Sequence, residues 1–374
     1  MEVKLIVGVS MSIGEYSFSA IKGRQAGREF YISMCPLKIV PRLFLFQGEE
    51  LPPELRSQRV INKSRIPEIS RYITANRQNY IFSAITASID RQVIFERLVI
   101  DGKELDDIGK LRIPLDARFI LNDGQHRRAA IEEALKDQPD LGDETISVVF
   151  FIDKGLKHSQ QMFADLNKHA VRPSRSTGIL FDHRDPLSSL ACEIVEKIPG
   201  FRNLTEMEKT SISNRSNKLF TLSGIYQGTL ALLRKTDKSK VITDAEMKVA
   251  FDFWSCVTEN ISDWKLAATK GISTYELRRD YVHAQALALH AIGKLGAALL
   301  SEPLRDYKKD LQKLDEIDWA RKNSALWEGR AMHNGKISKS HTCVNLTTNY
   351  LKTFFKLPLS PEESKIEEVF LRKA

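Results

Sequence analysis

The sequence predicts an α+β protein with a mixed α/β N-terminal half and a mostly α-helical C-terminal half. Three observations predict it. Short β-branched and aromatic runs alternate with helical patterns up to about residue 170. Beyond that point apolar residues recur at helical spacing in one long segment after another. The 374 residues carry 42% hydrophobic and 28% charged side chains, which allows two or three domains with their own cores and excludes wholesale disorder.

Taken in order, Glu2 to Ser10 and Glu29 to Met34 read as strands. Pro36, Pro41 and Pro52-Pro53 then break the chain into loops. Pro67 suits the first turn of a helix whose apolar face is Ile66, Ile69, Tyr72 and Ile73. Tyr80 to Ile89 and Gln92 to Ile100 read as strands, followed by an Asp101-Gly102 turn. Ala117 to Leu121 is a short buried strand running into Asn122-Asp123-Gly124, and Gln125 to Lys136 has helical spacing. Thr145 to Ile152 reads as a continuous apolar run, as expected of a strand covered on both faces. Ser159 to His169 returns to helix. In the second half, Asp185 to Lys197, Lys218 to Arg234, Thr243 to Ile261 and Ser273 to Leu300 are helices, the last opened by a Ser273–Glu276 capping box. The change of character places a boundary near Val171 to Ser176, with domains 1–172 and 173–374.

Composition narrows the function classes. Cys35, Cys192, Cys256 and Cys343 stand far apart without a C-x-x-C pair, which argues against a disulfide framework and a cysteine zinc site. The histidines show no metal spacing, so no metal centre is expected. Met1-Glu2-Val3-Lys4 does not open a signal peptide. Ala284 to Leu300, the most apolar helical stretch, is too short and, with His290 and Lys294, too polar to cross a bilayer. A soluble cytoplasmic protein without a membrane partner is expected. The 56 Lys and Arg against 48 Asp and Glu leave a net charge of +8, so placement matters more than the sum.

The chemistry-bearing segment is Phe119-Ile120-Leu121-Asn122-Asp123-Gly124-Gln125-His126-Arg127-Arg128. A strand ends, one glycine makes a tight turn, and a helix opens with hydrogen-bonding and basic side chains. The first N–H groups of a helix lack intrahelical partners and carry partial positive charge, so such a start suits an anion. Arg127 and Arg128 add forked donors that match phosphate. Asp123 could hold a metal, cap the helix or orient His126. The plain alternative is a capped helix whose arginines pair with Glu132 and Glu133.

Asp123-Gly124-Gln125-His126-Arg127 is the signature of the DGQHR-domain family. The order of flanking elements resembles the N-terminal domain of ParB and sulfiredoxin-like proteins. That resemblance implies a nucleotide pocket built from Asn122 to Arg128, completed by Asn167 on the following helix. ATP or another nucleoside triphosphate, with Mg as a possible companion, is the implied cofactor. Gly124→Val is then expected to block phosphate approach and leave the fold largely intact. Gly23 to Tyr31, Gln161 to Asn167, Arg172 to Ser176 and Asp318 to Asn323 further resemble the DndB family of DNA phosphorothioation clusters. This second resemblance spans essentially the whole chain. It implies a DNA-binding transcriptional regulator, a repressor of its own modification cluster, whose partners are double-stranded promoter DNA and other phosphorothioation proteins. A homo-oligomer is expected.

Clustered positive charge fits DNA. Lys22, Arg24, Arg28, Lys38 and Arg42 face Glu29 alone in residues 22–42, and Lys168, Arg172, Arg175 and Arg184 face Asp182 alone in residues 168–184. Lys209, Arg215 and Lys218 lie among Ser and Asn without an acid. Arg beside Ser and Asn suits backbone phosphate contact, although a solvated basic face has the same composition. Arg24, Arg28, Lys168, Arg172, Arg175, Arg215 and Lys218 are the DNA-binding candidates. No helix-turn-helix, zinc finger or basic zipper is legible. Cys35 beside Pro36 amid these cations is either a redox-sensitive thiol or a small buried hydrophobe. Trp319 and Trp327, near Arg321 and Arg330, are candidates to stack on a base. The alternative from another class is an enzyme, a nucleotide hydrolase or metal-dependent nicking nuclease, with Asp123 and His126 as catalytic groups and Arg127 as a clamp. A third reading is a protein-interaction subunit that docks the modification enzymes through its helical half.

Overall fold

The computed structural model describes residues 10–12, 14–44, 61–152, 155–168, 173–236, 239 and 241–372. The protein is α+β, and its chain divides into two compact units, residues 1–171 and 172–374.

The first unit is built on one sheet. Its strands are β1 (Ser10–Ser12), β2 (Glu15–Gln25), β3 (Arg28–Pro36), β4 (Ile85–Ile89), β5 (Ile94–Ile100), β6 (Lys103–Pro114), β7 (Phe119–Asp123) and β8 (Thr145–Ile152). Their order is β5-β6-β2-β3-β8-β4-β7, with β1 paired to the start of β2. Every pairing is antiparallel except β4 with β8. Both long hairpins turn on two residues at positive φ, Ala26-Gly27 and Asp101-Gly102, the backbone that matches strand twist. Among the described residues four α-helices accompany the sheet: α1 (Val40–Leu43), α2 (Ile66–Ala75), α3 (Gln125–Asp137) and α4 (Leu156–Lys168). Phe18, Tyr31, Leu111, Val148 and Phe150 from the strands bury against one another and share a core with Ile73, Ala130, Ile131 and Ala134 of the helices.

Several strands differ from the sequence reading. Ser10 apart, the strand expected over Glu2 to Ser10 lies outside the described residues, as do Pro52-Pro53. Two long strands, β2 and β6, escape a search for apolar runs because charged and small polar residues interrupt them: β2 buries only Ser17, Phe18 and Ala20, and β6 only Leu111 and Ile113. Only Ile85–Ile89 of the expected 80–89 strand is paired. The preceding Phe82 instead packs between Tyr80, edge-on at 5.6 Å, and Tyr72 of α2, tilted at 6.1 Å between ring centroids. Strand β8 is central yet alternates, with Ile146, Val148 and Phe150 buried and the residues between them half-covered.

The second unit is helical. Its elements are α5 (Arg175–Phe181), α6 (Pro186–Lys197), α7 (Pro199–Arg202), β9 (Thr205–Glu206), β10 (Phe220–Thr221), α8 (Leu222–Leu232), α9 (Asp244–Glu259), α10 (Ser262–Ala268), α11 (Thr274–Asp280) and α12 (Ala286–Leu299). They are followed by α13 (Tyr307–Leu311), α14 (Ser324–Trp327), the β11–β12 ribbon (Met332–His333, Lys336–Ile337), α15 (His341–Phe354) and α16 (Pro361–Leu371). Trp254, Trp264, Trp327, Phe201 and Phe253 fill the core. Helices α8 and α12 meet backbone to backbone: a Cβ on Gly293 would lie 2.1 Å from the Gly228 carbonyl oxygen.

The helix expected over Ser273 to Leu300 is two helices. Ser273 caps α11, its hydroxyl accepting from the Glu276 N–H, but among the described residues the reciprocal Glu276 bond of the expected capping box does not form. The break at Tyr281–Gln285 comes from tertiary bonds that outbid the helix. The Val282 N–H donates to Trp319 O at 2.9 Å, and the buried His283 is held between Trp264 and Asp263 at 3.0 Å each. No proline marks this break.

Acid should loosen this unit. Burial, then Lys294, His341 and Arg175, push the His290 imidazole down to about 4. A histidine whose folded pKa lies below its unfolded value keeps its stabilising neutrality above about pH 6.5 and loses it as pH falls toward 4. The melting temperature of wild type should therefore fall across that window more steeply than that of His290→Gln, as thermal scans at each pH would read.

Candidate functional site

Strand β7 delivers Asn122 and Asp123 to the sheet edge, Gly124 turns the chain at φ +104°, and α3 begins at Gln125. Asn122 is fully buried. Its Oδ1 accepts from the Ser88 hydroxyl at 2.9 Å, and its Nδ2 donates to Ser159 O of α4 at 3.5 Å. This amide therefore ties β4, β7 and the first turns of α4 together. No side chain caps α3. Two donors beside that uncapped start, Gln125 Nε2 and Arg127 Nε, are buried without a hydrogen-bond partner among the described residues. Unpaired buried donors are costly, so their presence together at one turn points toward an acceptor.

The motif's charged groups divide into two kinds. Arg127 is mostly buried; one Nη donates to Ser83 Oγ, and the other to Ala84 O at 3.1 Å and Asp123 Oδ2 at 2.5 Å. Asp123 thus anchors Arg127 rather than capping the helix. His126 Nε2 accepts from the Asn62 N–H at 3.1 Å. Arg128 turns inward instead, with its Nε 2.9 Å from Phe44 O, one Nη 2.9 Å from Pro41 O and the other 2.5 Å from Glu132. Its donors are spent on the chain around α1, so it is a structural residue, correcting its place in the pocket.

Other expectations change with the geometry. Asn167 donates to Phe163 O of its own helix at 2.8 Å. It stands eight residues beyond Ser159, about 12 Å along α4, so Ser159 and not Asn167 meets the motif. A cleft of about 210 Å³ adjoins this junction, lined by Ser88, Ser159, His158, Arg28 and Glu29. Cys35 is wholly buried and burial pushes its thiol up to about 12, which removes the redox reading and leaves a small core hydrophobe. Trp319 and Trp327 stack on each other, centroids 5.5 Å apart, and both are buried, so neither meets a base.

The proposed DNA contacts fall in both units. Arg24 and Arg28 are exposed on the β2–β3 hairpin, Arg24 opposite Glu29, and Lys168 is exposed at the end of α4. Arg175 and Arg215 are exposed in the helical unit, Arg175 lying 5.8 Å from the Tyr226 ring centroid. Lys218 is half-buried and donates to Asn203 O at 3.0 Å, so its ammonium is partly engaged. Arg172 lies outside the described residues. Sequence reasoning missed Ser83, Ser88, Asn62 and Ser159, which hold the motif. They are short polar residues distant in sequence, and nothing local marks them.

Among the described residues no group of three or more His, Cys, Asp or Glu is placed to hold a metal, and no helix is long and apolar enough to cross a membrane. The family model for DndB, described as DNA-sulfur modification-associated, matches residues 18–358. The chain belongs to the DndB family. No curated protein and no solved structure matches it. The DndB match spans both units, so the sheet with its Gly124 turn and the helical half are parts of one family architecture associated with DNA sulfur modification.

A Cβ on Gly124 would sit 3.0 Å from Ile85 Cγ1 and 3.2 Å from an Arg127 Nη, on a backbone that L residues rarely adopt. Gly124→Val therefore perturbs the fold itself, contrary to the sequence expectation. Gly124→Ala should cost on the order of 1–3 kcal/mol, read as a lower denaturation midpoint.

Proposed function

We propose that this chain is a DNA-binding transcriptional repressor of a DNA sulfur-modification cluster, modulated by a nucleoside triphosphate at the Gly124 turn. The observation that carries the DNA reading is family membership in a DNA-modification system, joined to exposed arginines on the β2–β3 hairpin and in the helical unit. The uncapped α3 start with two unpaired buried donors supports the nucleotide reading. Phosphate oxygens would accept from Gln125, Arg127 and the first helical N–H groups. Asp123, already paired with Arg127, would be the side to which a phosphate-bound Mg turns.

The test has two arms. Arg24→Ala with Arg28→Ala, and separately Arg175→Ala with Arg215→Ala, should weaken duplex binding irrespective of sequence, since phosphate contacts carry no base information. Normal binding by both pairs would put the DNA face elsewhere. Saturating ATP should weaken DNA binding, and linkage requires DNA to weaken ATP binding by the same factor, within the usual range of about 5–150-fold. Arg127→Ala should abolish that coupling, and an unchanged dissociation constant in wild type would remove the nucleotide from the reading.

A further inference from the structure

We propose that the helical unit holds a second binding site, a basic cavity that takes a nucleoside phosphate. The site belongs to the second unit and shares no residue with the Gly124 turn, so it stands independently of the function proposed above. Its volume is about 440 Å³, within the roughly 300–1,000 Å³ typical of small-molecule sites. Arg278, Arg279, Arg321 and Lys339 line it, and no acidic side chain does. Arg279 is paired with Asp280 at 2.6 Å, just outside the wall, so the positive potential where an anion would enter comes from Arg278, Arg321 and Lys339.

The walls are fixed by bonds that leave the charges in place. Arg278 donates to the Ser213, Ser216 and Lys218 carbonyls, which shapes the loop opposite it. Arg321 donates to Arg279 O and Gly335 O at 2.6 Å each, drawing three segments together. These guanidiniums therefore supply field rather than free donors. Ser211 and Asn214 add polar side chains to the lining, while the Thr221 hydroxyl already caps α8 by accepting from the Gly224 N–H at 3.2 Å. Gln285 and Ala286, where α12 opens without a side-chain cap or an acid in its first turn, form part of the wall.

An aromatic surface makes the ligand a nucleoside phosphate rather than a bare anion. Tyr275 is 37% exposed at the cavity, and the Arg279 guanidinium lies 5.6 Å from its ring centroid. A tyrosine stacked with arginine is the platform on which a base adds a further layer. The base would lie at Tyr275 and the phosphate toward the start of α12 and Lys339, whose exposed ammonium has no hydrogen-bond or ion-pair partner among the described residues. A free nucleotide and a nucleotide of an unpaired DNA strand share this chemistry.

Photolabelling of the full chain with 8-azido-ATP, followed by peptide mapping, tests the assignment. Label should enter peptides spanning 210–221 or 273–286, and Arg127→Ala should leave that label in place. Tyr275→Ala should weaken the labelled site by about 5- to 150-fold, the value of one base–aromatic stack. Lys339→Glu, at an exposed position, should weaken it without lowering the melting temperature. Competition by unlabelled ATP but not by a short single-stranded oligonucleotide assigns the free nucleotide, and the reverse assigns the strand. Label confined to other peptides, no label, competition by neither ligand, or unchanged labelling in both variants would overturn the proposal.

Discussion

Raising the salt from about 50 to about 200 mM should weaken binding of this chain to duplex DNA by roughly 10²–10⁴-fold. The expectation follows from counterion release: about 4–8 neutralised phosphates give a slope of log K against log salt of about −4 to −7. The exposed candidates are Arg24, Arg28 and Lys168 in the first unit and Arg175 and Arg215 in the second, and under the proposed function each unit would contribute its own phosphate contacts. Lys218 adds less, because Asn203 O already holds its ammonium. Anisotropy titrations at a series of salt concentrations read the slope directly. A slope near −1 would leave these arginines without a role on DNA. Removing Arg24 and Arg28 together should make the slope shallower by about 2.

Arg128→Ala should destabilise the first unit by about 2–4 kcal/mol, since it strips two carbonyls of a charged donor and leaves Glu132 unpaired. The residue is 7% exposed and reaches Pro41 O and Phe44 O from α3, so it fastens the segment after β3 to the motif helix. For a unit of this size the melting temperature should fall by roughly 5–15 °C. Arg128→Lys should restore little, because one ammonium cannot span both carbonyls and the carboxylate. A fall of about 1 °C or less in a thermal scan would mean that these bonds are not what holds α1 to α3. The contrast with Arg127→Ala is informative, since Arg127 lies at the turn and Arg128 beneath it.

The turn itself was legible in the sequence. A strand, a lone glycine and a basic helix start are local features, and Asp123 to Arg127 match a motif in consecutive residues. What surrounds the turn was not legible, because Asn122 meets Ser88 and Ser159 across 34 and 37 residues. Such pairings depend on strand order, and the order β5-β6-β2-β3-β8-β4-β7 leaves no local mark. Strands β2 and β6 were missed for a related reason: strand β6 is paired on both sides, yet charge lines its open face, so its composition reads as loop. The two arginines of the motif look equivalent in sequence. Only the fold shows that one faces the turn and the other the core. In the helical half, periodicity found α6, α8 and α9, whereas the break between α11 and α12 required knowing that Trp319 lies beside Val282.

As proposed, the chain binds promoter DNA as a regulator, and cutting of DNA is the outcome that would set this reading aside. The most direct test of this reading is one titration, in chelator and then in Mg, of the full chain against a duplex carrying the promoter of its modification cluster, a scrambled duplex and supercoiled plasmid. The promoter duplex should shift in chelator at concentrations well below those needed for the scrambled duplex, with the plasmid still supercoiled after Mg is added. Equal affinity for both duplexes, or relaxed plasmid that appears with Mg in wild type and is lost in Asp123→Asn, would contradict it.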